Sequence, residues 1–206
     1  MQARHNLPAT KAELVRLRQE IAVSQEGLEL LEHKRDILMG EGLQLLKTAK
    51  QLRLQVTQRW GHIEKNWQDA VEHQNPASLK KLAEGLTVMP PLEGGMQRWM
   101  SVKLANFSCK VPRLGLLGAV SELDLRPEQV RGALAQLLPE LVELMNTETN
   151  IRRIAIALKQ CHRQVNALTQ VVIPELEQEK VRIEQRLEEK EREAIFQVKL
   201  LKARML

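Results

Sequence analysis

Aromatic residues are scarce in this sequence, whose 206 residues include two Phe, three Trp and no Tyr. Hydrophobic residues nevertheless make up 43% of the chain, so its apolar content is mainly Leu, Ile, Val and Ala. Aliphatic residues of this kind favour helices packed on helices over a β-sandwich or barrel. The composition therefore predicts an all-α protein.

Cysteines, phosphate-binding loops and long apolar runs are also few or absent. The two cysteines, Cys109 and Cys161, match no metal-binding or redox spacing, which favours a reducing intracellular compartment. The first residues lack the apolar core of a signal peptide, and the run 114–120 is too short to span a bilayer. No glycine-rich loop precedes a Lys and a Ser or Thr. We therefore expect a soluble chain with no catalytic, cofactor or metal site of its own.

The charges do not point to nucleic acid. Lys and Arg number 31 and Asp and Glu 26, giving a net charge of +5, and the two signs are interleaved rather than gathered into a basic arm. The acidic residues within 188–193 alternate with Lys190 and Arg192, which is typical of a solvated helix face rather than of paired catalytic carboxylates.

A heptad repeat of apolar residues begins at Leu14 and continues to residue 59. Thr10 precedes Glu13 by three residues, which forms a capping box at the start of a helix. A repeat of this length is typical of a coiled coil, and it predicts a helix over about residues 10–59. Its predicted seam consists of Leu14, Leu17, Ile21, Leu28, Leu31, Leu38, Leu45 and Leu52.

A second repeat occupies the other end of the chain. Its predicted seam includes Val165, Leu168, Val172, Leu176, Ile183, Leu187 and Val198. The two consecutive steps of four from Leu168 to Leu176 form a stutter, which locally unwinds a left-handed supercoil. Pro174 lies beside the stutter, so we predict a kink at this proline. The alternative is a helix that ends at Val172 and restarts.

The segment between the repeats is richer in proline and glycine. Its patterns predict a short helix over residues 75–86 and a loop over 87–95. They also predict a small β-hairpin over 98–111 and a helix over 126–144 that is interrupted or ended at Pro139. Trp60 and Trp67 are seven residues apart and would share one helix face. We interpret them first as packing residues, with an anchor for a partner as the alternative.

Chain geometry favours antiparallel terminal helices. A parallel pair would require the middle segment to spend over ~20 extended residues returning along the helices, whereas an antiparallel pair does not. We therefore predict a long, left-handed, antiparallel two-helix coiled coil formed by residues 1–60 and 148–206. Residues 61–147 would form a small foot of short helices that can include the hairpin.

The two ends of the sequence also resemble a known family. The first match lies within 7–38, and its matching residues are Pro8, Thr10, Lys11, Leu14, Leu17, Gly27, Leu30, Leu31, Lys34, Arg35 and Asp36. The second match lies within 165–202, and its matching residues are Val165, Asn166, Ala167, Leu168, Ile173, Pro174, Leu176, Ile183, Leu187, Glu188, Glu189, Arg192, Glu193, Phe196 and Lys199. These segments are similar to the terminal signatures of the D subunit of the V-type (vacuolar or archaeal-type) ATPases.

The resemblance implies a central-stalk rotor that couples ATP hydrolysis or synthesis to ion transport. Implied partners are the catalytic and regulatory ring subunits, the small F subunit of the stalk and a socket subunit at the membrane ring, with no nucleic acid and no direct membrane insertion. The chain itself would be non-catalytic, cytoplasmic and peripheral to the membrane. We expect the coiled-coil tip to meet the ring through Pro8, Thr10, Lys11, Arg16, Arg18, Lys199, Lys202 and Arg204. The alternative function is a non-rotary coiled-coil scaffold or tether.

Overall fold

The computed structural model describes residues 8–73, 90–111 and 126–204. Its elements in chain order are helix α1 (Lys11–His73), strands β1 (Leu92–Trp99) and β2 (Val102–Cys109), helix α2 (Arg126–Ala167), a π-helical turn (Leu168–Val172) and helix α3 (Ile173–Arg204). The short helix predicted over 75–86 lies outside the described residues. Within those residues, no helix has a stretch apolar enough to cross a membrane.

The chain divides into two compact units. The first unit comprises residues 1–37 and 158–206, and the second comprises residues 38–157.

In the first unit, the beginning of α1 packs antiparallel to α3. Leu17, Leu176 and Ile183 form a buried apolar cluster with Ala9, and neighbouring seam residues pack against it. Two ion pairs flank the cluster, Lys11 with Glu191 at 2.9 Å and Arg18 with Glu184 at 2.9 Å. Because the paired residues are seven apart on each helix and run in opposite directions, they mark one heptad of an antiparallel coiled coil.

In the second unit, the later part of α1 packs antiparallel to α2. Ile63 is buried together with Val130 and Leu137, and partly buried Val56 and Ala133 pack against them. Ion pairs again cross between the helices, from Arg53 to Glu148 and from Arg59 to Glu140. The predicted all-α class with an antiparallel coiled coil is confirmed in both units.

The predicted seam is buried along most of its length. All its predicted members except Val198 are buried or half-buried. Val198 is 65% exposed, because α3 continues beyond Glu191, the residue that meets Lys11 in the first turn of α1. Placing Val198 on the seam was therefore wrong.

Both long helices extend further than the sequence patterns predicted. Helix α1 continues past residue 59 to His73. Helix α2 runs through Pro139 without ending there, so the predicted interruption is wrong. Val130 and Leu137 lie on the N-terminal side of this proline and pack against Ile63, which helps to hold the helix against the loss of one backbone hydrogen bond.

The helix that carries Pro174 neither ends nor restarts at Val172. It passes instead through the π-helical turn, in which the Ile173 N–H donates to the Leu168 carbonyl, and both flanking residues keep right-handed helical dihedrals. A π-turn accommodates one extra residue, which accounts for the two steps of four in the heptad pattern. In a regular α-helix the ring of Pro174 would collide with the carbonyl group four residues earlier. That carbonyl group lies within the wider turn.

The two strands form the predicted antiparallel hairpin, with Trp99 paired to Val102 across a two-residue turn. Met100 in this turn has a φ of 51°. Strand β1 already begins at Leu92, so the loop predicted over 87–95 is wrong from that residue onward, and its residues 87–89 lie outside the described residues. Gly94 has a φ of +122°, and a Cβ added there would lie 2.2 Å from the Asn106 carbonyl oxygen; only glycine fits this position without strain.

We expect Ile183→Ala to lower the free energy of unfolding by about 2–5 kcal/mol, because it removes buried methyl groups and leaves a cavity in the seam. The matched control is Val181→Ala in the same helix, where the side chain is half exposed and the expected change is within about 0.5 kcal/mol. Urea denaturation of both variants measures the difference. Equal effects would contradict the assignment of Ile183 to the core.

Candidate partner-binding surfaces

The hairpin is attached to α2 by side chains that bind its backbone. The Asn150 side-chain amide accepts from the Ala105 N–H at 2.6 Å and donates to the Ala105 carbonyl at 3.0 Å. Asn146 makes the same pair of bonds with Phe107, at 3.2 and 2.6 Å. Arg153 donates to the Lys103 carbonyl at 2.7 Å. Side chains of these three helix residues therefore bind backbone groups along one edge of β2, where a neighbouring strand would otherwise bind.

This attachment depends on a match between helix and strand repeats. Four helical residues rise about 6 Å, while two strand residues rise about 6.6 Å, so Asn146 and Asn150 can meet Phe107 and Ala105 in turn. Neither asparagine was predicted to have a role in binding the hairpin. The available signal was the presence of two Asn four residues apart inside a helix, where asparagine is unfavourable because its side chain competes for backbone hydrogen bonds.

The first predicted tip residues lie where α1 begins. The Thr10 hydroxyl accepts from the Glu13 N–H at 3.2 Å, so the predicted helix cap is present. Lys11 pairs with Glu191, Arg18 pairs with Glu184, and Arg16 lies 3.7 Å from Glu13. These cations are engaged within the chain, while Pro8 is exposed beside them. The hydrogen bond and negative charge of Glu191 raise the pKa of Lys11.

The remaining predicted tip residues lie at the end of α3. Lys199 and Lys202 are exposed and form no ion pair with any described residue. Arg204 is the last residue of the helix. The same helix end exposes a group of large apolar side chains, between 47% and 65% accessible, formed by Ile195, Phe196, Val198, Leu200 and Leu201. The structure therefore places the unpaired cations beside an exposed apolar surface.

Trp60 and Trp67 are not buried by packing. They lie on α1 in the second unit and are 51% and 47% exposed. Our first interpretation of these residues as packing residues does not account for this exposure, and the alternative of an anchor for a partner stays a prediction.

Cys161 is buried and its thiol lies 3.2 Å from the Leu31 carbonyl, to which it donates, as expected of a small residue in the seam. Across the described ranges, no group of three His, Cys, Asp or Glu residues is arranged to hold a metal ion.

These features together define a two-helix coiled-coil protein with an attached hairpin and exposed apolar and cationic groups suited to protein contacts. Comparison with known sequences assigns this class to a family. A family model described as the D subunit of ATP synthase matches residues 13–203, and the chain belongs to this family.

Individual relatives match nearly the whole chain. The A-type ATP synthase D subunit of Methanoregula boonei is 29% identical, with 98% of each chain covered. The V-type ATP synthase D subunit of Thermus thermophilus is 31% identical, and the match covers 95% of this chain and 87% of the relative. That of Enterococcus faecalis is 30% identical, with 98% and 97% covered.

Removing the Asn150 side chain is expected to loosen the hairpin. Asn150→Ala deletes two hydrogen bonds and leaves the buried Ala105 backbone groups unpaired, a loss of about 1–3 kcal/mol. The Ala105 amide should then exchange with solvent roughly 5- to 150-fold faster, as measured by hydrogen exchange. The control Asn106→Ala changes an exposed side chain and should leave this rate within twofold (~0.4 kcal/mol). An unchanged rate in Asn150→Ala would contradict the docking role.

The Lys11–Glu191 pair gives a pH-dependent prediction. Because the folded protein raises the pKa of Lys11 above the usual value of 10.5, the pair stabilises the fold below that value and loses this contribution as the pH rises through the folded pKa. Glu191→Gln should return the Lys11 pKa toward its usual value, as measured by NMR titration of the Lys11 ammonium group. Glu189→Gln, at an exposed position nearby, is the control and should leave the Lys11 pKa displaced.

Proposed function

We propose that this chain is the central-stalk rotor shaft of a V-type ATPase or ATP synthase. It would couple ATP hydrolysis or synthesis in a catalytic ring mechanically to ion translocation by a membrane ring. The observation that carries this proposal is the antiparallel coiled coil in a member of the family of ATP synthase D subunits. A scaffold or tether remains the competing function, and the experiments below distinguish the two.

A shaft must resist twisting, and the seam supplies this resistance. Each fully buried seam side chain contributes about 1.5–3 kcal/mol relative to exposure. Turning one helix against the other would pull side chains such as Leu17 and Ile183 out of their shared cluster. The flanking ion pairs fix the same register but contribute less, because their groups are exposed to water.

The exposed end of α3 is the part best suited to enter the ring. Its apolar residues, including Phe196 and Leu201, can lie against an apolar inner surface of the ring without requiring a fixed set of hydrogen bonds. Lys199 and Lys202 add positive charge that favours some ring positions over others as the shaft turns. Within this proposal, Pro8, Thr10, Lys11, Arg16 and Arg18 border the same contact.

No residue of this chain is proposed to act in catalysis. The ring subunits would carry the chemistry, the small F subunit would bind the side of the shaft, and a socket subunit would hold its other end above the membrane ring. The shaft would accordingly lie in the cytoplasm, peripheral to the membrane and without direct insertion.

Purification of the tagged full chain from its native cells tests the assignment. A rotor shaft should bring nucleotide-binding ring subunits and a small stalk subunit in fixed stoichiometry. In the purified complex, a reversible disulfide between the chain and one ring subunit should abolish ATP turnover, and reduction should restore it. Retention of full turnover with the cross-link in place would refute rotation and favour the tether.

The tip cations give a further prediction. We expect Lys199→Gln with Lys202→Gln to weaken binding of the chain to its ring roughly two- to tenfold at low salt, since each exposed pair contributes up to about 1 kcal/mol. ATP turnover coupled to ion transport should fall together with affinity. The control replaces Lys65 and Lys159, two exposed lysines outside the tip, with Gln. If the tip variant kept both affinity and coupled turnover, these charges would have no role in torque.

A further inference from the structure

Hydrogen bonding alone does not determine where along its helix the π-helical turn at Leu168–Val172 lies. The extra residue shows in the Ile173 N–H, which donates to the Leu168 carbonyl five residues earlier. In a regular α-helix it would donate to the Thr169 carbonyl four residues earlier. Exchanging one of these bonds for the other would move the turn by one residue and would keep the number of hydrogen bonds the same.

Packing confines the turn to a short interval of the helix. Val165 before it and Leu176 after it are 5% and 2% exposed. A residue that the turn passed would rotate by about 100° around the helix axis, so a turn outside this interval would expose one of these two side chains. Between them, Leu168 and Val172 are only half-buried. The seam therefore requires a wide turn between residues 165 and 176 but does not select its position there.

Pro174 opposes movement of the turn in both directions. Movement toward the N-terminus would leave Pro174 in a regular α-helical segment, where its ring would collide with the Gln170 carbonyl group. Movement toward the C-terminus would require residue 174 to donate a hydrogen bond to the Thr169 carbonyl, and proline has no N–H. The collision alone disfavours the first arrangement on the order of 100-fold.

We propose that Pro174 holds the π-helical turn at Leu168–Val172 and so selects one of several arrangements that the helix could otherwise adopt. The other proline inside a helix provides a comparison, because α2 stays α-helical through Pro139. A proline in this chain therefore does not by itself produce a wide turn. The seam creates the turn, and Pro174 determines its position. This role concerns the chain alone and does not depend on the proposed function.

The position of the turn also decides which side chains the helix presents to solvent. Val171 is 45% exposed within the turn, and Glu175 is exposed just after it. Because a residue passed by the turn rotates by about 100°, a turn free to move would present these side chains in more than one direction. Pro174 thus gives this stretch of the surface a single arrangement.

NMR spectroscopy of the full-length chain tests the proposal. Scalar couplings across hydrogen bonds identify the carbonyl to which each N–H donates, and in the unaltered chain Ile173 should couple to Leu168 alone. In Pro174→Ala we expect a weaker coupling to Leu168 and a new coupling to Thr169. The other arrangements should rise from about 1% to at least about 10% of the population, because the proline no longer opposes them.

Pro139→Ala is the matched control for this measurement. It also removes a proline from a helix interior, but it lies far from the π-helical turn in the sequence. We expect it to leave the coupling between Ile173 and Leu168 unchanged and to produce no second set of signals from residues 168–175.

Moving the proline by one residue provides a second test. The double variant Pro174→Ala with Glu175→Pro changes an exposed side chain and therefore removes no buried contact at position 175. We expect the turn to follow the proline, so that the N–H of residue 174 couples to the Thr169 carbonyl and the signals return to a single set. Far-UV circular dichroism should show the same helix content as in the unaltered chain.

Three results would overturn the proposal. If Pro174→Ala kept the bond from Ile173 to Leu168 as its single arrangement, the seam would determine the position without help from the proline. If the same variant lost the wide turn altogether, Pro174 would create the turn rather than select its position. A turn that stayed at Leu168–Val172 in the double variant would likewise show that it does not follow the proline.

Discussion

The antiparallel packing of two apolar helix stripes is the constraint on which the rest of this structure depends. Neither stripe can be buried by its own helix, so each requires the other. Clusters around Ile183 in the first unit and Leu137 in the second show the same solution, with aliphatic side chains inside and ion pairs at the edges. The hairpin and the exposed end of α3 are both carried by helices that this pairing holds in place.

The sequence predicted the packing well because a heptad repeat encodes it directly. Ile183 and Leu17 could be placed in a seam from spacing alone, since burial repeats with the helix period. The same rule failed at Val198, where the pattern continues but the described partner helix does not. A periodic pattern indicates which face is apolar, whereas burial also requires something opposite that face.

The features that the sequence did not predict depend on contacts between distant residues. Asn146 and Asn150 bind β2 only because two different repeats match in space, and neither residue stands out by hydrophobicity. Pro139 was expected to interrupt a helix on local grounds, but packing of Val130 and Leu137 against α1 favours continuity. The cations of the predicted tip were chosen by their charge, while the structure was needed to divide them into paired and unpaired groups.

The π-turn also determines which side of α3 faces α1. One residue added to a regular α-helix turns the downstream segment by about 100°, which would carry Leu176 and Ile183 from the interior to the solvent. The wide turn at Leu168–Val172 absorbs that offset within a single turn. Deleting one residue there would therefore rotate α3 about its own axis. The rotation would separate Glu184 and Glu191 from Arg18 and Lys11, although none of these residues had changed.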